Sequence, residues 1–387
     1  MVIMSVVGAR PNFMKVAPFI QAIHQHALYQ SGKLNHLLIH TGQHYDERMS
    51  ESFFRALCIP APDLNLEIGS GSHAEQVGHT MIGLEAVIRK HNPDWLVVLG
   101  DVNAALAGAI TAKKEQIKIA HIESGLRSFD MRMPEEVNRI VTDRLSDLLL
   151  CTDKIAVQNL ESEGTPAARI RLVGNVMIDT LLQQIPAAKM RSYKQIIADN
   201  HAHITLPSVS LNDEGFCVVT LHRPTNVDEP KQLAQLVDFI VNEVCESMHV
   251  LWSIHPRTQS RLLDFGLMPR LQQNKNRLTL LHPLPYLDML RLNIGARVFI
   301  TDSGGLQEEC CVLGTPCMTL RENTERPITN IEYGGTNVLA GSDVQRFKPV
   351  LLALCKRGRQ PFSPPLWDGH AAERILQEIL ALRPISP

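Results

Sequence analysis

Short apolar runs rich in β-branched residues alternate with longer helix-like stretches along the whole chain. Parallel strands must be joined by crossover connections, which helices usually supply, so this alternation predicts an α/β fold built on parallel sheets. This alternation becomes less clear between residues 183 and 215, where Ala, Ser, Pro and Asn become frequent. The predicted strands are Val2–Val7, Leu37–His40, Trp95–Leu99, Ile117–His121, Leu148–Cys151 and Ile170–Val173 before this segment, and Cys217–Leu221, Val250–Ile254, Leu278–Leu281, Val298–Thr301, Cys317–Leu320 and Asn337–Leu339 after it.

Two groups of strands predict two doubly wound, Rossmann-like domains that face each other across a central cleft. We expect an N-terminal domain over residues 1–173 and a C-terminal domain over residues 174–367, with a hinge near Gly174–Thr180. The last predicted helix, Ala371–Leu382, is expected to pack back onto the first domain, which would then also include residues from about 368 to 387. A chain of 387 residues is long enough for two such cores.

Composition narrows the class of protein. A net charge of −2 lacks the basic field of a nucleic-acid binder, and no apolar run approaches the length of a membrane span. The apolar start Met1–Val7 lacks the basic segment of an export signal, so we expect a cytoplasmic protein. The eight cysteines include no C-x-x-C pair and are expected to be reduced. No ligand spacing indicates a metal site, so none is expected.

Acidic side chains stand near the predicted strand ends of the first half. Asp101 follows Trp95–Leu99, Glu123 follows Ile117–His121, and Glu135 lies in a Pro-Glu-Glu-Val-Asn-Arg run soon after. Ligands of open α/β sheets bind beyond the carboxyl ends of the strands, so we expect these acids to converge. Carboxyls in different environments can differ in pKa, which suits acid/base chemistry, although a lone acid is more often a helix cap or a surface ion pair.

The second half carries features that suit a phosphate. Val298–Thr301 runs into Asp-Ser-Gly-Gly, so Ser303, Gly304 and Gly305 are expected at a helix N-terminus, where backbone N–H groups and the helix dipole favour anions. A plain helix cap is the alternative for this turn. Cations and histidines at other strand ends or turns would suit a diphosphate, and these are Arg10, Lys15, His222, Arg223, His255, Arg257 and Arg326.

Two nucleotide-binding motifs are missing from the chain. There is no G-x-G-x-x-G after the first strand and no G-x-x-x-x-G-K-[ST] anywhere. A tightly bound dinucleotide and an ATP-splitting loop are therefore disfavoured, and no cofactor is expected. Carboxylates together with a phosphate site indicate transfer or elimination at a phosphorylated carbon.

A set of motifs in a fixed order makes the prediction more specific. The set comprises Gly8-Ala9-Arg10-Pro11 with Lys15, Gly100-Asp101, Glu123–Arg127, Pro134–Arg139, Gly174–Thr180, Leu221-His222-Arg223, Thr301–Glu309 and Thr324–Pro327. Together these motifs resemble those of the non-hydrolysing UDP-N-acetylglucosamine 2-epimerases. The resemblance implies a GT-B fold, a UDP-sugar substrate, a homodimer and a role in polysaccharide biosynthesis.

The resemblance also implies a mechanism and a set of site residues. Carbon 2 of the sugar bears no acidifying carbonyl, so inversion requires either transient oxidation or loss of UDP to a glycal followed by re-addition. The missing dinucleotide motif favours elimination. The residues that match the family's catalytic positions are Asp101, Glu123, Glu135 and His222. Those expected to bind UDP or the sugar are Arg10, Lys15, Arg139, His255, Met289, Ser303, Gly304, Gly305, Glu309 and Arg326, with Glu309 at the ribose and Met289 near the uracil.

Two departures leave the substrate and its regulation open. Many bacterial members use the segment after the second strand to bind a second, activating UDP-N-acetylglucosamine, but here Gln43-His44 is followed by Tyr45-Asp46-Glu47-Arg48, so we expect weak activation or none. The stretch Arg127–Pro134 also resembles 2-epimerases of UDP-2,3-diacetamido-2,3-dideoxyglucuronic acid. A GT-B glycosyltransferase and a non-catalytic sensor are further alternatives, but they leave the acids without a role.

Overall fold

The computed structural model describes residues 1–8, 10–42, 59–202, 211–274 and 276–382. The chain divides into two compact units. The first comprises Met1–Leu182 and the segment from Pro364 onwards, and the second comprises Gln183–Ser363. Each unit contains one parallel sheet with helical connections, which confirms the predicted α/β class.

The first sheet has seven strands in the order β3-β2-β1-β4-β5-β6-β7. The order reverses direction between β1 and β4, which is where open α/β sheets usually bind their ligands. All five residues of β4 are buried, because helices cover both faces of a parallel sheet, and this explains the unbroken apolar run. The strands are β1 Val2–Val7, β2 Asn35–His40, β3 Leu64–Asn65, β4 Trp95–Leu99, β5 Lys118–Ser124, β6 Leu148–Cys151 and β7 Ile170–Leu172.

The second sheet has six strands in the equivalent order, β10-β9-β8-β11-β12-β13. Its largest apolar cluster lies around the buried Trp252 and Val219, and a smaller cluster surrounds Phe216 and Phe299. The strands are β8 Phe216–Thr220, β9 His249–Ser253, β10 Leu278–Leu281, β11 Val298–Thr301, β12 Cys317–Thr319 and β13 Asn337–Leu339.

Helices connect the strands of both units, and local signals set several of their ends. One helix begins at a capping box in which Ser72 and Glu75 exchange hydrogen bonds, and it ends at Asn92 in the left-handed conformation. No helix within the described ranges is long and apolar enough to cross a membrane. The helices are α1 Arg10–Gln25, α2 Ala27–Gln30, α3 His73–His91, α4 Asn103–Lys114, α5 Pro134–Leu145, α6 Lys154–Ser162, α7 Val176–Lys189, α8 Tyr193–Asn200, α9 Pro224–Val227, α10 Pro230–Phe239, α11 Cys245–Ser247, α12 Pro256–Asp264, α13 Met268–Gln272, α14 Tyr286–Gly295, α15 Gly304–Leu313, α16 Phe347–Arg357 and α17 Ala371–Ala381.

The structure differs from the sequence prediction in two local elements. The short edge strand β3 was not predicted, because two residues carry no readable alternation. The segment from 183 to 215, where the sequence pattern weakens and no helix was predicted, contains the end of α7 and all of α8. The helix α8 is held by Ile196 and Ile197, which pack in the cluster around Phe216.

The division between the units falls inside α7, later than the boundary drawn from the sequence. Side chains in the first half of α7 bind elements of the first unit. The Thr180 hydroxyl donates to the Met14 carbonyl at 2.6 Å, and the Asp179 carboxylate accepts from the backbone N–H groups of Ala371 and Ala372 at 3.1 and 2.7 Å. Asp179 thereby caps α17, which packs against α1 of the same unit.

Candidate active site

In the first unit a buried ion pair lies at the carboxyl ends of the central strands. Lys15, from α1, donates to the carboxylate of Glu123, which stands at the end of β5, and both side chains are buried. Gly100 follows β4 with a φ of +62°, and a Cβ there would lie 2.7 Å from Lys15 Nζ and 2.9 Å from Glu123 Oε2. Glycine is favoured here because its φ is positive and because a Cβ would crowd the ion pair.

The second predicted acid, Asp101, has a different cation. Arg139 of α5 donates from Nη2 to Asp101 Oδ2 at 2.6 Å and also pairs with Glu136. Asn138 donates to the backbone carbonyl of Asp101 at 2.8 Å and so ties the turn to the same helix. Asp101 thus lies just after β4 and Glu123 at the end of the neighbouring strand β5, and each pairs with its own cation.

The adjacent acids at the start of α5 have different environments. Glu135, the predicted catalytic residue, is exposed, whereas Glu136 is buried. Glu136 accepts from the backbone N–H groups of Ser128 and Phe129 at 3.0 and 2.8 Å and from the Ser128 hydroxyl at 2.9 Å. Glu136 therefore joins the 128–129 loop to Arg139. Sequence alone does not distinguish Glu136 from Glu135, because two adjacent glutamates do not reveal which face of a helix is buried.

In the second unit His222 forms a dyad with an acid that the sequence analysis did not select. His222 follows β8 and Asp302 follows the neighbouring β11, and His222 Nδ1 lies 2.8 Å from Asp302 Oδ1. The Asp302 carboxylate also accepts from the Arg223 backbone N–H at 2.9 Å and from Asn226 Nδ2 at 3.0 Å. The signals available from sequence were the position of Asp302 at a strand end and its place in the Thr301–Glu309 motif.

The electrostatics of the dyad favour an ionised Asp302. Burial alone would raise the pKa of this carboxyl, but the hydrogen bond and charge of His222, with those from the Arg223 backbone and Asn226, lower the pKa below its ordinary value. When His222 Nδ1 donates to this carboxylate, Nε2 is the ring nitrogen left to exchange a proton. The His222 side chain is 41% exposed, so a ligand can reach it.

Ser303 caps the N-terminus of α15 without a side-chain hydrogen bond to the helix. A Cβ on Gly304 would collide with the Glu325 carboxylate and would lie 2.7 Å from Arg326 Nη1, so glycine allows the arginine to approach the helix start. Arg326 is buried and pairs with Glu325 and, at 3.0 Å, with Glu308. The predicted phosphate-binding turn and Arg326 therefore come together in the structure.

Glu309 lies buried within α15. Burial raises the pKa of this carboxyl to about 8; the nearby Tyr286 and Asn293 lower it only in part, and Glu308 raises it further. Its Oε2 has no well-oriented hydrogen bond to any described residue. Because Glu309 is buried, its Oε2 can accept a hydrogen bond from a ligand hydroxyl with little competition from water.

The remaining predicted residues have varied surroundings. His255 caps α12, its Nδ1 accepts from the Arg257 backbone N–H at 3.2 Å, and its ring centroid lies 5.5 Å from that of His222. Arg257 pairs with Asp228. Met289 on α14 is half-buried against the cluster around Phe216. The side chain of Arg10 and the 43–58 segment, with its departure from the family pattern, lie outside the described residues.

Comparison with known proteins identifies the family. A model of the UDP-N-acetylglucosamine 2-epimerase family matches residues 26–380. The chain belongs to the UDP-N-acetylglucosamine 2-epimerase family. A UDP-N-acetylglucosamine 2-epimerase of Methanocaldococcus jannaschii is 40% identical over 375 residues, which cover 96% of this chain and 97% of that protein. The family and its named members make this chain a sugar-nucleotide epimerase, an isomerase, as the motifs predicted.

Three further matches, one by sequence and two by structure, define the breadth of the similarity. A UDP-2,3-diacetamido-2,3-dideoxy-D-glucuronate 2-epimerase of Pseudomonas aeruginosa is 38% identical over 344 residues, covering 88% of this chain and 89% of that protein. The crystal structure of the Methanocaldococcus jannaschii epimerase in complex with UDP-GlcNAc and UDP matches with a TM-score of 0.84 and 38% identity, over 98% of this chain and 100% of that one. The lipopolysaccharide outer core galactosyltransferase WaaB, at 12% identity and a TM-score of 0.53 over 98% of this chain and 100% of its own, shares the fold alone.

Proposed function

We propose that this epimerase interconverts UDP-N-acetylglucosamine and UDP-N-acetylmannosamine by eliminating UDP and adding it back. The observation that carries the proposal is the pair of acids at the carboxyl ends of neighbouring strands, with Asp101 bound by Arg139 and Glu123 bound by Lys15. Inversion at carbon 2 requires one group that removes a proton and another that returns it from the opposite face. Two separately held carboxyls meet this requirement.

In the forward direction one carboxylate removes the proton on carbon 2 while the bond between carbon 1 and the diphosphate oxygen breaks. A carbon–carbon double bond forms, and UDP leaves with the electron pair of the broken bond. In the return step UDP adds to carbon 1, and the second acid delivers a proton to the other face of carbon 2. Asp101 and Glu123 are the proposed acid/base pair, and Glu135, exposed at the start of α5, is the third candidate.

The leaving diphosphate needs positive charge and a proton donor. For this role we propose His222, oriented by Asp302, together with the helix start at Ser303, Gly304 and Gly305. Arg326 beside that helix start supplies a permanent positive charge. The further proposed contacts are Arg10, Lys15, Arg139 and His255 around the phosphates and sugar, Glu309 at the ribose hydroxyls and Met289 at the uracil.

The test is a reaction of UDP-N-acetylglucosamine in deuterium oxide followed by proton NMR. The expected product carries one deuterium at carbon 2, and neither added metal nor a nicotinamide is needed. The variants Glu123→Gln and Asp101→Asn are expected to lower turnover by about 10²-fold or more while UDP binding persists. Product that retains its original hydrogen at carbon 2 would exclude the elimination mechanism.

A second candidate substrate is UDP-2,3-diacetamido-2,3-dideoxyglucuronic acid. The 38% identity to the Pseudomonas aeruginosa epimerase of that sugar nucleotide nearly equals the identity to the UDP-N-acetylglucosamine enzyme. Measuring kcat/KM for the two sugar nucleotides with the same preparation decides between them. A ratio above about tenfold in favour of the diacetamido sugar would replace the first proposal.

The family resemblance also supports a cytoplasmic homodimer that supplies a precursor for polysaccharide biosynthesis. Sedimentation velocity over a range of protein concentrations tests the dimer. A single species with the mass of one chain at every concentration would contradict it.

A further inference from the structure

His121 lies at the centre of a buried network under the two acid-bearing turns of the first unit. The ring is completely buried in β5 and contacts a hydrogen-bond acceptor on each side. Nδ1 lies 2.7 Å from Asp143 Oδ1, and Nε2 lies 2.9 Å from the backbone carbonyl of Gly100. Because a carboxylate and a carbonyl both accept, the ring makes both hydrogen bonds only when both nitrogens carry protons.

The acidic side chains of the network offset the positive charge of a His121 ring that carries both protons. Asp143 also accepts from Arg127 at 2.7 Å, and Arg127 in turn forms two hydrogen bonds with Glu163, at 2.7 and 2.8 Å. Burial alone would raise the pKa of Asp143, but His121 and Arg127 lower it below its ordinary value. Two cations and two anions therefore alternate along the network, which keeps each buried charge paired.

The network is tied to both turns that carry the proposed acids. Gly100, whose carbonyl binds His121, immediately precedes Asp101. The backbone N–H of Gly125 donates to Asp143 Oδ2 at 3.1 Å, so the same carboxylate holds the chain on both sides of Glu123. Glu123 itself has a φ of +70°, and the register of β5 against β6 shifts between Ile122 and Ser124.

A positive φ at a non-glycine residue such as Glu123 destabilises the folded state by about 1–3 kcal/mol. Such a conformation persists only where the surrounding contacts hold it. The bonds from His121 and Asp143 supply that restraint at Glu123. The Gly100 N–H also donates to the Ile122 carbonyl at 3.0 Å, which links the two turns directly.

We propose that His121 is a positioning residue that sets the distance between the Asp101 turn and the Glu123 turn. The proposal rests on the function given above, because it concerns the geometry of the two proposed acid/base groups. His121 does not need to touch the substrate. It acts through the Gly100 carbonyl on one side and through Asp143 on the other.

Two substitutions of His121 test its hydrogen bonds to Gly100 and Asp143 separately. Glutamine at 121 carries an amide N–H at about the reach of Nε2 and can keep the bond to Gly100, whereas asparagine reaches only towards Asp143. We expect kcat to fall about tenfold in His121→Gln and about 10²-fold in His121→Asn, because small misplacement of reacting groups is costly. KM and the Kd of UDP are expected to stay within about twofold of wild type, because the reacting groups are displaced while substrate contacts persist.

Glu163→Gln is the matched control, because it perturbs the far end of the same network but touches neither turn. Its kcat is expected to equal that of wild type. A wild-type kcat in a folded His121→Asn variant would overturn the proposal, and so would an equal loss of kcat in Glu163→Gln.

A measurement on the unmodified protein covers the case in which the His121 variants do not fold. Long-range proton–nitrogen NMR of the imidazoles is expected to reveal one ring with two slowly exchanging N–H protons, lost in Asp143→Asn. If every buried ring carries a single N–H, the proposal is wrong. This result is independent of the substrate. Failure of wild type to epimerise any UDP-sugar would instead refute the proposed function.

Discussion

Replacing Asp302 with asparagine tests the assignment of the His222 dyad. The carboxylate is fully buried and accepts from the backbone N–H groups of His222 and Arg223, from Asn226 and from the His222 ring. Asparagine has the same shape, but one of its two acceptor oxygens becomes an NH₂ group. That group would face donors, so about two charge-assisted hydrogen bonds are lost.

The expected costs follow from that count. Each hydrogen bond to a charged group contributes about 1.5 kcal/mol at the lower end of the usual range, so the free energy of unfolding should fall by about 3 kcal/mol. Loss of the acceptor for Nδ1 also removes the hydrogen bond that orients the His222 ring and selects its tautomer. Turnover should therefore fall by about 10²–10³-fold.

Urea unfolding gives the first quantity, and NMR progress curves with UDP-N-acetylglucosamine give the second. Asp288→Asn is the matched control, because Asp288 is another buried acid of the second unit and binds Arg191 at 2.7 Å. It should lose stability without losing turnover. If Asp302→Asn kept wild-type turnover, or if both variants lost turnover equally, the dyad would have no special role.

Other perturbations test the phosphate site, pH dependence and regulation. Gly304→Ala should weaken UDP binding at least about tenfold by calorimetry, because its methyl group displaces Arg326; unchanged affinity would contradict the assigned contact. Burial raises the pKa of Asp179 from 3.8 to about 6, despite opposing hydrogen bonds from Ala372 and Ala371. Between pH 3.8 and about 6 the folded state therefore binds more protons than the unfolded state. The free energy of unfolding should fall by at most about 3 kcal/mol as the pH rises through this range. Urea unfolding of wild type and Asp179→Asn at several pH values measures this slope, which the variant should lack. Because Tyr45-Asp46-Glu47-Arg48 departs from the segment that resembles an activator site in many bacterial members, the plot of rate against substrate should be hyperbolic; a sigmoidal curve would mean that activation persists.

Much of the fold is determined by local sequence. Buried parallel strands such as β4 are continuous apolar runs whatever surrounds them, and turn residues separate them from helices, so their positions are readable. The same reasoning selected Asp101, Glu123 and His222, because each stands where such a strand ends. It failed for β3, which is too short to carry a pattern, and for α8, whose buried face is set by its contact with Phe216.

The partners of the site residues depend on tertiary structure. Lys15 was predicted to bind phosphate, yet in this structure it pairs with Glu123, which is far from it along the chain. Glu135 and Glu136 are adjacent in sequence, but the rotation of α5 about its axis leaves Glu135 exposed and buries Glu136. Strand order brings Asp302 beside His222 and sets the carbonyl of Gly100 against His121. Sequence determines which groups stand at strand ends, because hydrophobic periodicity is local; only the folded sheet decides which of them touch, because these contacts join residues that are distant in the chain.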